Sequence, residues 1–325
     1  MIGAANVNGK VANKKELQGY VTVPNKILIE DDSKAKQAIK DTLKDCVEGN
    51  FSKYLVKIGE RPYGDTSDKK ITTWEFNNED ITKIKDSTFA HYNGFLDIGE
   101  NDYYFNEVNV KLPNCLEIGE QAFYRNICLH EIYFPKVKKI GQSAFVNTFM
   151  KRIDLSDCIK IDSYVFQNCF RVEEINLPKV KELGDSVFQD TGSMSSLSNI
   201  SLPSMTYFNN SCFNGSVFQN ALFSNENITQ MGGNYYFYAP FRDSKKIKRI
   251  IIPNCTTVPK LGSVDGLVGD NATLKAQVTI YVPRAMVEQY KAATNWSAYN
   301  IAAIEDNRAE LQGIFTELDE LEGWS

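Results

Sequence analysis

The sequence predicts an α/β repeat protein: a solenoid of about eight coils with short strands, an N-terminal capping helix and C-terminal helices. The main observation is a pattern that returns at nearly fixed spacing, in which an aliphatic or aromatic residue is followed five positions later by Phe. The pairs are Ile118/Phe123, Ile140/Phe145, Ile161/Phe166, Leu183/Phe188 and Phe208/Phe213. Their phenylalanines lie 22, 21, 22 and 25 residues apart, and a period of this length indicates stacked repeats with a spine of aromatic rings.

Each repeat opens with a strand-like segment whose apolar residues alternate with polar ones, which predicts one buried face. The inward positions are Ile132 and Phe134, Ile153 and Leu155, Ile175 and Leu177, and Ile200 and Leu202. The outward positions predict a ladder on the order of 40 Å long, since strands stack about 4.8 Å apart. Its members are Asn109/Lys111, Glu131/Tyr133, Arg152/Asp154, Glu174/Asn176, Asn199/Ser201 and Arg249/Ile251.

Two further columns of the repeat carry structural information. The residue after the first member of each pair is Gly119, Gly141, Asp162, Gly184 or Asn209, which predicts a turn, because these residue types enter left-handed backbone conformations most cheaply. Cys115 and Cys158 share a column with two valines and a methionine. The seven cysteines are therefore interpreted as reduced, buried small hydrophobes rather than as a disulfide framework.

These columns together resemble a known family. The pattern L-x-x-I-x-L-P-x-V-x-x-I-G-x-x-A-F, as it stands in residues 129–145, is similar to the BspA-like leucine-rich repeat family, and the resemblance covers about residues 71–300. The sequence departs from the pattern at Ser156 and Asp162. The resemblance implies a leucine-rich-repeat solenoid, and it implies a surface adhesion or recognition module, because most members of the family act in that way.

The chain divides into three predicted segments. Residues 1–65 hold an N-terminal segment and a capping helix that begins after Asp31-Asp32-Ser33 and ends near Gly49, followed by a turn at residues 61–65. Residues 66–283 form the solenoid, with inserted segments at 91–107 and 214–246 and a last strand at 278–283. Residues 284–325 form a C-terminal helical cap and an acidic tail helix. The passage from Ile280 to Trp296 resembles the closing unit of gut-bacterial members of the family, including copies in prophage tail regions.

The sequence offers no catalytic or metal-binding constellation. Ser186 follows Gly184-Asp185 as in a hydrolase, but it shares its column with Ser143 and Ser211 and is interpreted as a turn residue. The two histidines, His91 and His130, stand at no metal-ligand spacing, and no phosphate-binding glycine motif occurs. We therefore predict no enzyme, no metal and no cofactor. A net charge of −5 argues against nucleic acid as partner, and no apolar run is long enough for a membrane span.

The leading hypothesis is a non-catalytic recognition or adhesion module on a bacterial surface, which binds a protein or glycan through its open β face and aromatic loops. The alternatives are a phage virion protein, structural or receptor-binding in the tail, and a carbohydrate-active enzyme. The first ten residues lack a charged-then-apolar leader, which weakens the surface interpretation. The predicted ligand-binding residues are Lys111, Glu131, Tyr133, Arg152, Asp154, Glu174, Asn176, Tyr235 and Tyr236.

The acidic tail suggests a second interaction. Leu311, Ile314, Leu318 and Leu321 stand at a/d spacing, which predicts one helix with an apolar stripe of about two heptads. Such a stripe is too short for a stable coiled coil, but it suffices to dock on a second copy of the chain or on another virion protein. The alternative is that the stripe folds back over the open end of the solenoid beyond Trp296.

Overall fold

The fold is described from a computed structural model, over residues 56–62, 70–77, 81–90, 106–232, 239–262 and 265–319. The predicted capping helix within residues 31–49 and most of the inserted segment at 91–107 lie outside the described residues, as do Tyr235, Tyr236 and Leu321.

The longer strands of the coils form two separate sheets on one side of the solenoid. Sheet A has the order β1 (Val56–Pro62), β2 (Lys70–Asn77), β4 (Asn106–Lys111), β6 (Leu129–Tyr133), β8 (Arg152–Asp154) and β10 (Glu174–Asn176). Sheet C has the order β12 (Asn199–Ser201), β14 (Asn220–Leu222), β16 (Arg249–Ile251), β18 (Thr279–Val282) and β19 (Asn300–Ala303). All pairs are parallel except that of β1 with β2.

The other side of the solenoid is one continuous sheet of two-residue strands. Sheet B contains β3 (Lys83–Ile84), β5 (Glu117–Ile118), β7 (Lys139–Ile140), β9 (Lys160–Ile161), β11 (Glu182–Leu183), β13 (Tyr207–Phe208), β15 (Gln230–Met231) and β17 (Lys260–Leu261). Its eight strands, one per coil, confirm the predicted solenoid of about eight coils. Since sheet B runs beneath both sheet A and sheet C, it joins the two halves into one stack.

An insertion separates sheets A and C. The 25-residue repeat between Phe188 and Phe213 is longer than its neighbours, and the extra residues bond back to the preceding coil. Gly192 N donates to Cys169 O at 3.0 Å, and Met194 N donates to Phe170 O at 2.9 Å. The predicted ladder along all coils is therefore wrong: it is divided at this point into two shorter faces.

The phenylalanine spine is confirmed. Successive rings stack through the core with centroids 4.6–5.9 Å apart and planes within 25° of parallel. The rings are Phe89, Phe123, Phe145, Phe166, Phe188, Phe213 and Phe241, all buried. Each ring buries on the order of 150–250 Å², so the spine is the largest apolar feature common to both halves of the solenoid.

The glycine column plays a different role from the predicted one. Left-handed backbone occurs two residues later, with φ between 52° and 63°, at Gln121, Ser143, Tyr164, Ser186 and Ser211. The glycines instead allow adjacent coils to touch, since a Cβ on Gly119, Gly141 or Gly184 would lie 2.5–2.6 Å from a backbone nitrogen of the coil before.

The spacing between coils depends on this column. The amides of Gly119, Gly141 and Gly184 donate to the carbonyl of the preceding coil at 2.8–2.9 Å. Where the column holds a side chain the bond is longer, at 3.3 Å for Asp162 and 3.1 Å for Asn209. A side chain is therefore accommodated by a small local separation of the coils.

The cysteines behave as buried hydrophobes in the part of the chain that the structure describes. Six of the seven fall there, and all six are free and buried. Burial raises the pKa of Cys115 and of Cys158 to about 12, so their thiols stay protonated at neutral pH. The column interpretation is confirmed for these six residues.

The C-terminal unit closes the core, with one strand more than predicted. Helix α1 (Ala272–Gln277) precedes β18, and helix α2 (Val287–Ala292) follows it. Tyr290 and Trp296 pack edge-on in the core at 4.8 Å, and Trp296 Nε1 donates to Pro259 O at 2.8 Å. The prediction that residues 278–283 form the last strand is wrong, because β19 adds a further parallel strand.

The start of sheet A also differs from expectation. Arg61 and Pro62 lie in β1 rather than in a turn, because residues 56–62 pair antiparallel with β2 at the edge of the sheet. Proline is compatible with an edge strand, where its missing N–H costs no ladder bond. None of the helices among the described residues is long and apolar enough to cross a bilayer.

Candidate recognition surface

The register of sheet A brings the predicted binding residues together in two parallel rows. One outward row contains Glu75, Asn109, Glu131, Arg152 and Glu174 in neighbouring strands. The other contains Asn77, Lys111, Tyr133, Asp154 and Asn176. All seven predicted residues that the structure describes therefore share one face, on which neighbouring strands lie about 4.8 Å apart.

The cations of this face are held by carboxylates on the same strand or on adjacent strands. Lys111 Nζ lies 2.6 Å from Glu75 Oε2, and Glu75 is almost fully buried. An Arg152 Nη2 atom lies 3.5 Å from Asp154 Oδ2 and 3.3 Å from Glu174 Oε1. Such pairs fix side-chain orientation more than they add stability, because the outer groups remain accessible to water.

Asp154 is oriented by two hydrogen bonds. Asn176 Nδ2 donates to Asp154 Oδ1 at 3.0 Å, and Ser156 Oγ donates to the same oxygen at 2.9 Å. Ser156 stands where the other repeats have proline, so its departure from the motif supplies a hydroxyl to this carboxylate. The departure is visible in the sequence, but only the structure shows the carboxylate that Ser156 contacts.

Between these groups lies an open cleft of about 400 Å³. Its walls come from three strands, β4, β6 and β8. The side chain of Tyr133 stands over it and is 49% exposed, which is unusual for an aromatic residue on a strand. The lining residues are Asn109, Val110, Lys111, Glu131, Ile132, Tyr133, Arg152 and Asp154.

A polar cluster near the edge of sheet A was not predicted as a site. Glu107 accepts from Arg61 Nη2 at 2.6 Å, and its Oε1 lies 3.5 Å from His130 Nε2. Burial lowers the pKa of His130, although the nearby Glu107 carboxylate acts in the opposite direction. Glu107 and His130 are far apart in the sequence and come together only because β4 and β6 are adjacent strands. A short sequence motif therefore does not indicate this cluster.

One of the two outward rows of sheet C is covered by the chain itself, contrary to the predicted ladder. This row is Ser201, Leu222, Ile251, Tyr281 and Ala302. Leu222, Ile251 and Tyr281 pack in a second apolar cluster with the C-terminal segment, which contributes Leu311, Phe315 and Leu318. Ile251 is therefore buried rather than displayed. A second open cleft, of about 440 Å³, remains on this half beside the other outward row, at Arg249 and Thr279.

The C-terminal segment is not the single helix that its a/d spacing predicts. Helices α3 (Arg308–Leu311) and α4 (Thr316–Asp319) are short and separated by Gly313, whose φ is +74°. Polar contacts hold the segment in place: Asn199 Nδ2 donates to Ile314 O at 3.0 Å, and Arg249 lies 2.8 Å from Glu310 Oε1.

Assembly through this segment stays a prediction. Leu311 and Leu318 are fully buried in the described chain, so the apolar stripe faces the protein's own sheet C. A second copy or a virion protein would have to displace that contact before it could use these two residues.

The geometry brings together no nucleophile and base in the hydrolase-like sequence around Ser186. Ser186 is buried with left-handed backbone, and its amide donates to Asn210 O in the next coil at 2.9 Å. Its role as a turn residue is confirmed. Over the same described ranges, no group of three or more His, Cys, Asp or Glu side chains is close enough to hold a metal ion.

The family comparison agrees with the repeat architecture. The family described as a BspA-type leucine-rich repeat region matches residues 96–219 and 160–262, in six copies. Among solved structures, a leucine-rich repeat protein from Bacteroides ovatus is 16% identical over 71% of this chain and 79% of its own, with a TM-score of 0.25. The pneumococcal vaccine antigen PcpA is 14% identical over 70% and 78%, with a TM-score of 0.30. No curated protein matches the chain.

Proposed function

Because the chain belongs to the BspA-type leucine-rich repeat family, we propose that it is a non-catalytic recognition module that binds a protein or glycan through the open face of sheet A. Members of this family are typically surface binding or adhesion proteins, which supports an extracellular or cell-surface location. The proposal concerns one face of one half of the solenoid, and it does not extend to sheet C.

The main support for the proposal is the difference in solvent exposure between the outward residues of sheet A and those of sheet C. In one outward row of sheet C, Leu222, Ile251 and Tyr281 are packed under the chain's own C-terminal segment. The equivalent residues of sheet A are polar, oriented by cross-strand contacts, and arranged around a cleft beside the half-exposed Tyr133. Exposed aromatic rings beside fixed hydrogen-bonding groups are typical of binding sites, where they supply contact area and orientation at once.

The test is a triple variant, Tyr133→Ala, Asp154→Ala and Asn176→Ala, screened against arrays of defined glycans and of surface-protein peptides. We expect every ligand bound by the wild-type chain to be lost, because the ring, the carboxylate and the amide that orients it are removed together. The melting temperature should be nearly unchanged, since these side chains lie outside the core. Ligand capture that survives the triple change would contradict the proposal.

A matched control is available on sheet B. Lys139, Lys160 and Glu182 are exposed on neighbouring two-residue strands, and replacing all three by Ala removes the same number of surface side chains from the other side of the solenoid. Binding should be retained in this control. Loss of binding in both triple variants would indicate a general effect on the protein rather than a site on sheet A.

A further inference from the structure

The lining of the sheet A cleft includes an amide whose oxygen is buried without a partner in the described part of the chain. Asn109 is only 8% exposed and lies between Glu75 and Glu131 in the register. Its Oδ1 atom is buried and has no hydrogen-bond partner among the residues that the structure describes. Burial of an unsatisfied amide is unfavourable. Asn109 lines the cleft, so a rotation about χ2 that brought its oxygen to the cleft surface would let it accept a hydrogen bond from a ligand N–H group.

The charges around the cleft favour a cation. Lys111 and Arg152 are its two cations, and they are already paired with Glu75, Asp154 and Glu174. With Glu131, the two outward rows of sheet A carry four carboxylates and two cations, a net charge of −2. Glu131 is exposed on the central strand and makes no ion pair within the described ranges. An incoming positive charge would therefore meet a carboxylate that needs no existing pair to be broken.

The ring of Tyr133 favours a ligand with a planar cationic group. Tyr133 lies two residues from Glu131 on the same strand, so both side chains project from the same face. Planar cations stack on aromatic faces, and a guanidinium does so while its edge donates hydrogen bonds in the plane. An ammonium offers no plane to stack, and a sugar hydroxyl carries no charge to balance Glu131.

We propose that this cleft binds the guanidinium of an arginine side chain from a protein partner, with Glu131 and Asn109 accepting its hydrogen bonds and Tyr133 stacking on its plane. The inference rests on the proposed function and narrows it from a protein or glycan to a protein with an accessible arginine. Lys111 and Arg152 act as positioning residues, because they hold the surrounding carboxylates in place.

The experiment titrates the intact chain with a blocked pentapeptide of four glycines around a central arginine, and with versions carrying citrulline or lysine instead. Citrulline keeps the shape of arginine and removes its charge. We expect the arginine peptide to bind, with a loss of about tenfold or more for citrulline and a smaller loss for lysine. Binding should weaken as salt is added, because the charges are partly exposed.

Two variants place the binding at the cleft. Glu131→Gln and Asn109→Ala should each weaken the arginine peptide, and Glu131→Gln should also abolish the preference for arginine over citrulline. The control is Glu182→Gln on sheet B, an exposed glutamate paired with Lys160, which should leave both affinities unchanged. Asn109→Ala serves as an independent test should Glu131→Gln alter folding, as judged by the melting temperature.

Three results would overturn the inference: equal binding of arginine and citrulline peptides, no arginine-dependent binding up to about 10 mM peptide, or unchanged binding in both cleft variants. Oligosaccharides of N-acetylglucosamine and of glucosamine are titrated alongside. If one of them binds and is lost in the Tyr133, Asp154 and Asn176 triple variant while the arginine peptide does not bind, the open face is a glycan site. In that case the proposed function stands and the arginine inference is wrong.

Discussion

Tyr133 and Tyr281 occupy the same position of the repeat in the two halves of the solenoid, yet their environments are opposite. Each follows the inward isoleucine of its strand and precedes the last inward residue before proline. Tyr133 on sheet A is 49% exposed, whereas Tyr281 on sheet C is 3% exposed beneath the C-terminal segment. The repeat therefore fixes the direction of an outward side chain without deciding whether solvent reaches it.

The residues on the neighbouring strands explain why Tyr133 is exposed and Tyr281 is buried. Tyr133 is flanked in its row by Lys111 and Asp154, which favour contact with water. Tyr281 is flanked by Ile251 and Ala302, and these residues favour an apolar cover. An open face and a covered face are thus built on one scaffold by a change of polarity in a single outward row.

The largest expected effect concerns the spine that both halves share. Phe145→Ala beneath sheet A and Phe241→Ala beneath sheet C should each lower the free energy of unfolding by about 3–5 kcal/mol, because each leaves a cavity in a stack of rings. Urea unfolding measures both. If Phe241→Ala leaves the free energy of unfolding nearly unchanged, the two halves of the solenoid do not share one continuous core.

The next effect separates the two faces. Leu318→Ala should cost about 2–5 kcal/mol, because Leu318 is fully buried against sheet C. Tyr133→Ala on the open face should stay within about 0.5 kcal/mol. Glu317→Ala is the control within the same helix, since its side chain is exposed. Equal costs for Leu318→Ala and Glu317→Ala in urea unfolding would mean that the segment does not cover sheet C in solution.

A smaller effect is expected where adjacent coils touch. In Gly141→Ala the new Cβ would lie 2.6 Å from Glu120 N, so the coils must separate, at a cost of about 1–3 kcal/mol. Asp162→Ala is the matched change in the next coil, where the backbone has already adjusted to a side chain, and it should cost less. If thermal unfolding ranks the two variants in reverse order, close stacking is not the reason for the glycine.

The smallest expected effect concerns the ion pair between Arg249 and Glu310, which links sheet C to the C-terminal segment. Glu310→Gln removes the ion pair with Arg249, whose side chains are 45% and 26% exposed respectively. We expect a loss of about 0–1 kcal/mol that shrinks as salt is added. A loss of several kcal/mol, independent of salt, would show that charge rather than apolar contact holds the segment.

Much of this architecture could be predicted from the sequence, because the same pattern occurs in several successive repeats. The period, the spine and the inward and outward alternation each recur in the central coils, so errors at one position are corrected by the others. The seven described candidate residues of sheet A share a face for this reason. The glycine column was misinterpreted because conformational freedom and close approach select the same residue type, and the sequence alone does not separate them.

The cover on sheet C was missed, although a signal was present. Residues 250–252 are three consecutive isoleucines, and residues 280–282 are also apolar throughout. Alternation with a polar outward face is lost there, and continuous apolar strands are typical of sheets buried on both sides. The unpaired amide of Asn109 could not be predicted in this way, since it depends on the register and on which neighbours already have partners.

The most direct test of the account compares the two equivalent tyrosines in one experiment. Nitration of the native chain, followed by peptide mass spectrometry, reports the reactivity of Tyr133 and Tyr281 side by side. Burial raises the pKa of Tyr281, and the adjacent Glu310 adds to this effect, so both access and ionisation protect it. We expect Tyr133 to be modified and Tyr281 to be spared, and we expect Tyr281 to become reactive in Leu318→Ala. Equal modification of the two tyrosines in the native chain would contradict the division of the solenoid into an open and a covered face.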